Sequence, residues 1–299
     1  MVRGILGRLL GNLLKITLVF RRPVIGKKYS GQTTRVGIRV GSICLFCKKG
    51  YNLYMISAKK LAFLKSLQQK KDRQQEGQFI IDNPKVILEQ RRHKLFRELY
   101  IIEAATEKYK QALRGIKYQI ISEAELKKIS PSITPQGMLA VFALPPSIEF
   151  NYGNEQILLL DGIQDPGNVG TIIRTADWFG IKSIFLNSAC ADVFSPKTVA
   201  ASMGSIFQVK LFPDQDLAKL IVGLQKHGFK IVAADSHAQT SVLPSGKLGI
   251  VIGSEARGVE KKILDLADIK YKIAGSGQVE SLNAAVAAGI ILYQLNSPR

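Results

Sequence analysis

Five polar side chains stand in glycine-punctuated loops beside apolar segments, where a folded core has no need of them. Asn168 and Arg174 lie in DGIQDPGNVGTIIRTADWFG over residues 161–180. Glu255 follows Gly253 in VIGSEARGV over 251–259. Ser281 and Asn283 close IAGSGQVESLN over 273–283. Carboxamides both donate and accept, so Asn168 and Asn283 suit the orientation of a hydroxyl. A guanidinium is a permanent cationic fork for phosphate or a developing oxyanion. Each residue also has a plain structural reading: Asn168 as a helix N-cap, Arg174 as half of a surface ion pair, Glu255 as a helix-start charge, Ser281 as a capping residue. Their joint occurrence at strand ends in one stretch favours a ligand site, and the glycines there let a ligand touch the backbone.

The elements that must carry these residues alternate regularly. Apolar runs predict strands at 157–160, 183–186, 208–211, 230–234, 248–252 and 271–273. Helical patterns fall at 169–179, 196–203, 217–227, 261–266 and 282–295. Such alternation makes an α/β domain with a mainly parallel sheet, whose ligands sit beyond the carboxyl ends of the strands. No G-x-G-x-x-G follows the first strand and no P-loop occurs, so a dinucleotide or nucleoside-triphosphate site is not supported. Upstream, helices at 56–71, 84–90, 107–114 and 124–129 alternate with strands at 78–81, 99–102, 118–121 and 139–143. Ser122 and Glu125 form a capping box. The organisation expected is a small α/β unit over 55–146, a Pro145-Pro146 linker, and a second domain over 154–297.

Charge divides along the same line. Residues 1–54 hold 11 Lys/Arg and no acid, residues 55–128 hold 17 against 9, and residues 129–299 hold 14 against 14. A basic module beside a neutral one fits a polyanion held by the first and processed by the second. Residues 1–54 are expected to be poorly ordered; they read as an organellar transit peptide or as sequence preceding a true start at Met55, the latter preferred. Ile5 to Phe20 is too short and too charged to span a membrane. Cys44 and Cys47 lack the further ligands a zinc site needs, and Cys190 reads as a buried small apolar residue, which fits a reducing cytoplasm. His93, His227 and His237 fall outside every motif.

Together these segments resemble the SpoU (TrmH-type) branch of the SPOUT RNA methyltransferases. N-x-G-x-I-x-R-T-A-D-x-F-G matches at 168–180, G-S-E-x-x-G at 253–258, and E-S-L-N with following small residues at 280–288. TPQG at 134–137 and Glu76-Gly77 are similar to that family's N-terminal substrate-binding domain, so the resemblance covers residues 60–296. It implies a trefoil-knotted C-terminal domain that binds S-adenosylmethionine through the backbone of Gly253, Ile273 and Leu282. It implies methyl transfer to a ribose 2′-hydroxyl of rRNA or tRNA, with Arg174, Asn168, Glu255, Ser281 and Asn283 as catalytic residues. It also implies a homodimer with the knot helices at its interface. Arg174 is a base or an electrostatic clamp; a guanidinium gives up its proton too reluctantly to serve readily as a base, which favours the clamp. A non-catalytic RNA-binding or ribosome-assembly protein of the same fold is the alternative, and methylation of a base nitrogen a third. The chain departs from the pattern at Ala256, at Ala274-Gly275 where the family has Pro-Met, and at DNPK over 82–85.

Overall fold

The computed structural model describes residues 38–40, 43–45, 56–153, 156–279 and 281–296. In the first 54 residues only β1 (Ile38–Val40) and β2 (Ile43–Leu45), an antiparallel ribbon, are described; the expectations for the rest of that segment lie outside the described residues. Next come α1 (Ala58–Ser66), α2 (Lys70–Glu76), β3 (Gln78–Ile81), α3 (Pro84–Gln90), β4 (Phe96–Ile102), α4 (Glu103–Lys108), β5 (Gln119–Ile121), α5 (Glu123–Ile129) and β6 (Met138–Ala143). Their four strands form one sheet in the order β3-β6-β4-β5. Helix α5 carries the expected capping box of Ser122 and Glu125.

Two expectations need correction here. The single helix over 56–71 is two helices, because Gln69 is extended (φ −94°, ψ 137°); the sequence offers no physical reason for the break. The helix over 107–114 lies earlier, at α4. Glu103 to Lys108 are good helix formers placed directly after β4, and turns lead from there to Gly115.

The second half contains β7 (Ile157–Asp161), α6 (Pro166–Trp178), β8 (Ser183–Leu186), α7 (Pro196–Ser202), β9 (Lys210–Phe212), α8 (Leu217–Lys226), β10 (Lys230–Ala234), β11 (Leu248–Gly253), α9 (Lys261–Leu266), β12 (Ile269–Tyr271) and α10 (Ala284–Asn296). The sheet is parallel throughout, in the order β12-β10-β11-β7-β8-β9. Strand β12 sits two residues earlier than its apolar pattern suggested, because it can pair only as far as Ala234, the last residue of β10. From β7 the chain steps outward through β8 and β9, then crosses to β10 and inserts β11 beside β7. The order therefore reverses between β7 and β11, where Asp161 pairs with Gly253, and a crevice opens beyond their carboxyl ends.

Helix α6 runs so close to α7 that a Cβ on Gly170 would lie 2.4 Å from the Thr198 carbonyl oxygen. The two sheets also share packing. Phe79, Ile81 and Val86 of the first half form one buried cluster with Val199 of α7 and Ile206. An ion pair joins buried Arg73 of α2 to partly buried Asp192, and Arg73 also donates to the Leu67 carbonyl at 2.9 Å. Among the described residues no helix is long and apolar enough to cross a membrane. Removing the arginine leaves a partly buried carboxylate unpaired, at a cost of about 1–3 kcal/mol. Arg73→Ala is therefore expected to lower the thermal unfolding midpoint by several degrees, read by calorimetry. An unchanged midpoint would mean that the pair does not hold the two halves together.

Candidate active site

The N-terminus of α6 is set by Asp165, whose carboxylate accepts the Asn168 N–H at 3.0 Å, with Pro166 at the first helical position. Asn168 is thus not the cap, and its side chain is left for other work. The Lys197 ammonium lies 2.6 Å from Asp165 and, with the Asn168 amide, holds that carboxyl below the usual carboxylate range. Strand β11 ends in a turn that closes on itself: Ser254 N–H donates to the Gly258 carbonyl at 3.1 Å, and Gly258 N–H returns to Ser254 at 2.8 Å. This turn explains Gly253. A Cβ there would lie 2.1 Å from the Gly258 carbonyl carbon and 2.2 Å from the Val259 nitrogen. The backbone that presses on the bare Cα of Gly253 is the chain's own, rather than a ligand.

The turn presents Glu255. Its Oε1 accepts from the Asn168 side-chain amide, from Asn283 Nδ2 at 3.4 Å and from the Ala284 N–H at 3.3 Å. Asn283 Nδ2 also donates to Asn168 Oδ1 at 3.1 Å, while its own Oδ1 accepts the N–H groups of Ala285 at 2.9 Å and Val286 at 3.3 Å. Asn283 therefore caps α10, the role that Ser281 could have held. Three of the five residues singled out in the sequence, one from each motif, meet in this cluster.

The other two do not. Arg174 is more than two turns into α6, beyond the one and a half that a helix starting near 169 implied. Its side chain is exposed and makes no ion pair or hydrogen bond with a described residue. Ser281 is exposed and likewise makes no hydrogen bond with a described residue. Of the positions implied to hold a cofactor, Ile273 packs on the main core and Leu282 is 41% exposed. Residues 273–279 between them make no backbone hydrogen bond with another described residue. That loop offers free amides and carbonyls at the strand ends.

Sequence reasoning missed Asp161. It is buried, and its two carboxylate oxygens accept Asn187 Nδ2 and the Glu260 N–H, each at 2.7 Å, tying the ends of β7 and β8 to the segment after β11. Its signal was visible, since an acid ends an otherwise wholly apolar strand. A polar cavity of about 450 Å³ opens beside it, lined in part by Asn187, Gln215, Asp216 and Glu260. Cys190 is half-buried rather than buried. Its thiol sits within hydrogen-bonding distance of the Leu160 carbonyl (3.2 Å) and is pushed up to about 11 by burial, which makes it a poor nucleophile. His93 packs at a tilt against Phe207 and His227 stacks on Tyr152, which are packing roles.

Comparison with known proteins bears on both halves. The sequence model of the SpoU rRNA Methylase family matches residues 155–293, and that of the MRM3-like substrate binding domain matches residues 59–140. The 23S rRNA (guanosine(2553)-2′-O)-methyltransferase RlmP of Bacillus subtilis is 31% identical over 234 residues, covering 77% of this chain and 93% of that protein. A TrmH-family structure from Porphyromonas gingivalis is 36% identical with a TM-score of 0.71, covering 81% of this chain and 98% of the other. An AdoMet-bound rRNA methyltransferase from Sinorhizobium meliloti is 25% identical with a TM-score of 0.70, covering 81% and 95%.

The turn after β11 gives a direct test. Gly253→Ala forces a methyl group into the 258–259 backbone, and such overpacking costs about 1–3 kcal/mol. Urea denaturation is expected to show that loss, with hydrogen exchange at the Ala284 amide speeding up as Glu255 is displaced. Wild-type stability and exchange would contradict the closed turn.

Proposed function

The chain belongs to the SpoU rRNA methylase family, and from that premise we propose that it transfers a methyl group from S-adenosylmethionine to a ribose 2′-hydroxyl in rRNA or tRNA. The observation that carries this reading is the cluster of Asn168, Glu255 and Asn283, which draws the three motifs together at the point where the sheet order reverses.

The residues present fit the methyl donor. The free backbone of 273–279, between the half-buried Ile273 and the exposed Leu282, can satisfy a nucleoside's polar edge against an apolar surface. Gly253, Ile273 and Leu282 would hold it. When bound, it supplies a sulfonium-activated methyl group, so that positioning accounts for much of the remaining barrier. Asn168 and Asn283 orient the accepting hydroxyl through their carboxamides, and Glu255 fixes both. Arg174, permanently charged, clamps the RNA phosphate and stabilises the oxyanion that develops as the hydroxyl passes its proton to solvent water and its oxygen takes the methyl group, the donor leaving as the neutral thioether. Ser281 orders the loop before α10.

The domain assignment belongs to the same proposal: residues 55–146 bind RNA and residues 154–297 carry the chemistry, in the cytoplasm. So does the trefoil knot. Although β12 lies at the sheet edge, α10 packs back on α6 and on central β11, as a C-terminal segment drawn through the fold would. A homodimer completes the reading. On α6 and α10, Trp178 is 83% exposed, Val286 51% and Tyr293 63%, and a second copy over these two helices would cover them.

Tritium transfer from labelled S-adenosylmethionine to bulk rRNA and tRNA tests the activity. Arg174→Ala is expected to lower kcat by about 10²–10³, the scale of losing one oxyanion-stabilising group, with the donor's Kd unchanged. Transfer by the wild type no greater than by the variant would sink the enzyme reading. For the dimer, Trp178→Glu is expected to sediment as a monomer and to lose activity. A variant that remains dimeric would place the interface elsewhere.

A further inference from the structure

Resting on the reading of residues 55–146 as the RNA-binding unit, we propose that the loop 130–137 between α5 and β6 is its base-recognition element. In this proposal Ile133 is an apolar wedge placed against an unstacked RNA base. Ile133 is 98% exposed, more than any other large apolar side chain among the described residues. A single exposed isoleucine is ordinary on a protein surface. What sets this one apart is how firmly its loop is held. Asp82, only 8% exposed at the end of β3, accepts the Ser130 hydroxyl at 2.6 Å and the Ser132 N–H at 3.2 Å. Ser132 N–H lies 3.1 Å from Ser130 Oγ as well. Pro131 and Pro135 stiffen the chain on either side of Ile133. At the far end Gly137 has φ +92°, and a Cβ there would come within 3.0 Å of Ala105.

Burying a carboxylate is unfavourable unless hydrogen bonds satisfy it. All the side-chain hydrogen bonds that Asp82 makes go to this loop, so its burial serves to shape the segment that holds Ile133 in solvent. An apolar tip that is rigid before binding loses little conformational entropy when it is covered.

Charge decides between occupants. Lys127 and Lys128, both exposed, form the last turn of α5 immediately before the loop, and exposed Lys85 follows Asp82 by three residues. The unit around them carries 17 Lys/Arg against 9 Asp/Glu over residues 55–128, and the substrate-binding family model extends through residue 140. An apolar tip flanked by lysines matches a polyanion whose bases are accessible. Specific RNA recognition targets splayed bases in single-stranded loops, and isoleucine is among the side chains that wedge between bases. The lysines supply phosphate contacts, which carry the salt dependence but little sequence information.

Two measurements test this. First, a photocrosslinking residue replaces Ile133 (Ile133→p-benzoylphenylalanine) in the full chain, which is irradiated with rRNA from cells lacking the protein. Crosslinks to RNA are expected; crosslinks only to protein would overturn the proposal. Second, anisotropy with a labelled single-stranded rRNA fragment from the crosslinked region compares Ile133→Ala with Lys127→Ala/Lys128→Ala. Ile133→Ala is expected to weaken binding about 5-fold to 10-fold with an unchanged salt slope and thermal midpoint, whereas the double lysine variant flattens the slope. Unaltered affinity in Ile133→Ala would overturn the proposal. If residue 133 crosslinks RNA but the wild type transfers no methyl group, the enzymatic reading fails and this one stands.

Discussion

One carboxylate oxygen holds the candidate site together. Glu255 Oε1 receives hydrogen bonds from the side chains of Asn168 and Asn283 and from the first amide of α10. Those donors belong to segments 87 and 28 residues away in the chain. Nothing local brings them together; the parallel sheet does, by setting β7 beside β11 with Asp161 opposite Gly253. The constraint also runs the other way. Glu255 can occupy that point only because the 254–258 turn closes tightly enough to exclude a side chain at 253. Hydrogen bonds that amide donors give to a charged acceptor are stronger than neutral ones, so the cluster is a rigid platform rather than a set of separate surface groups.

The second dependence is between the two halves. The neutral half carries the motifs and the basic half carries the charge, so in the reading proposed above an RNA held by one has to reach the other in a fixed geometry. The Arg73–Asp192 pair links the two beside their shared apolar cluster, and Asp192 is itself braced in the same half as the motifs. Its Oδ1 accepts the Phe194 N–H and its carbonyl accepts the Thr198 hydroxyl near the start of α7. Helix α7 contributes Lys197, which reaches Asp165, the cap of α6. A connected series of polar contacts thus runs from α2 to the turn of helix that bears Asn168.

Much of this was legible in the sequence because periodicity and punctuation are local signals. Strands 183–186 and 230–234, helices 84–90 and 261–266, and the Ser122–Glu125 box occur where their residues predicted. The three motifs likewise pointed to Asn168, Glu255 and Asn283 as partners in one site. What escaped detection depended on tertiary partners. The limits of β12 follow from where β10 ends, and the helix at 103–108 follows from where β4 stops. Asn168 could be read as a cap, although Pro166 at the first helical position is a local sign that the helix starts at Asp165. The roles of Lys197 and Asp82 lie in long-range hydrogen bonds that no spacing rule encodes, and so does that of Asp161, although its place at the end of an apolar strand was a visible sign.

The separation of Arg174 from Glu255 has a chemical meaning. Had the guanidinium paired with that carboxylate, the pair would be neutral and the cation already committed when an anionic substrate arrived. Instead, Glu255 Oε1 is occupied by amide donors, which fix its position without cancelling its neighbour's charge. Arg174, without an ion-pair partner among the described residues, keeps its full positive charge on the exposed side of α6. A guanidinium is poorly suited to accept a proton, since it is already protonated and does not give up its protons near neutral pH. It is well suited to attract a phosphate and to stabilise negative charge developing on an oxygen.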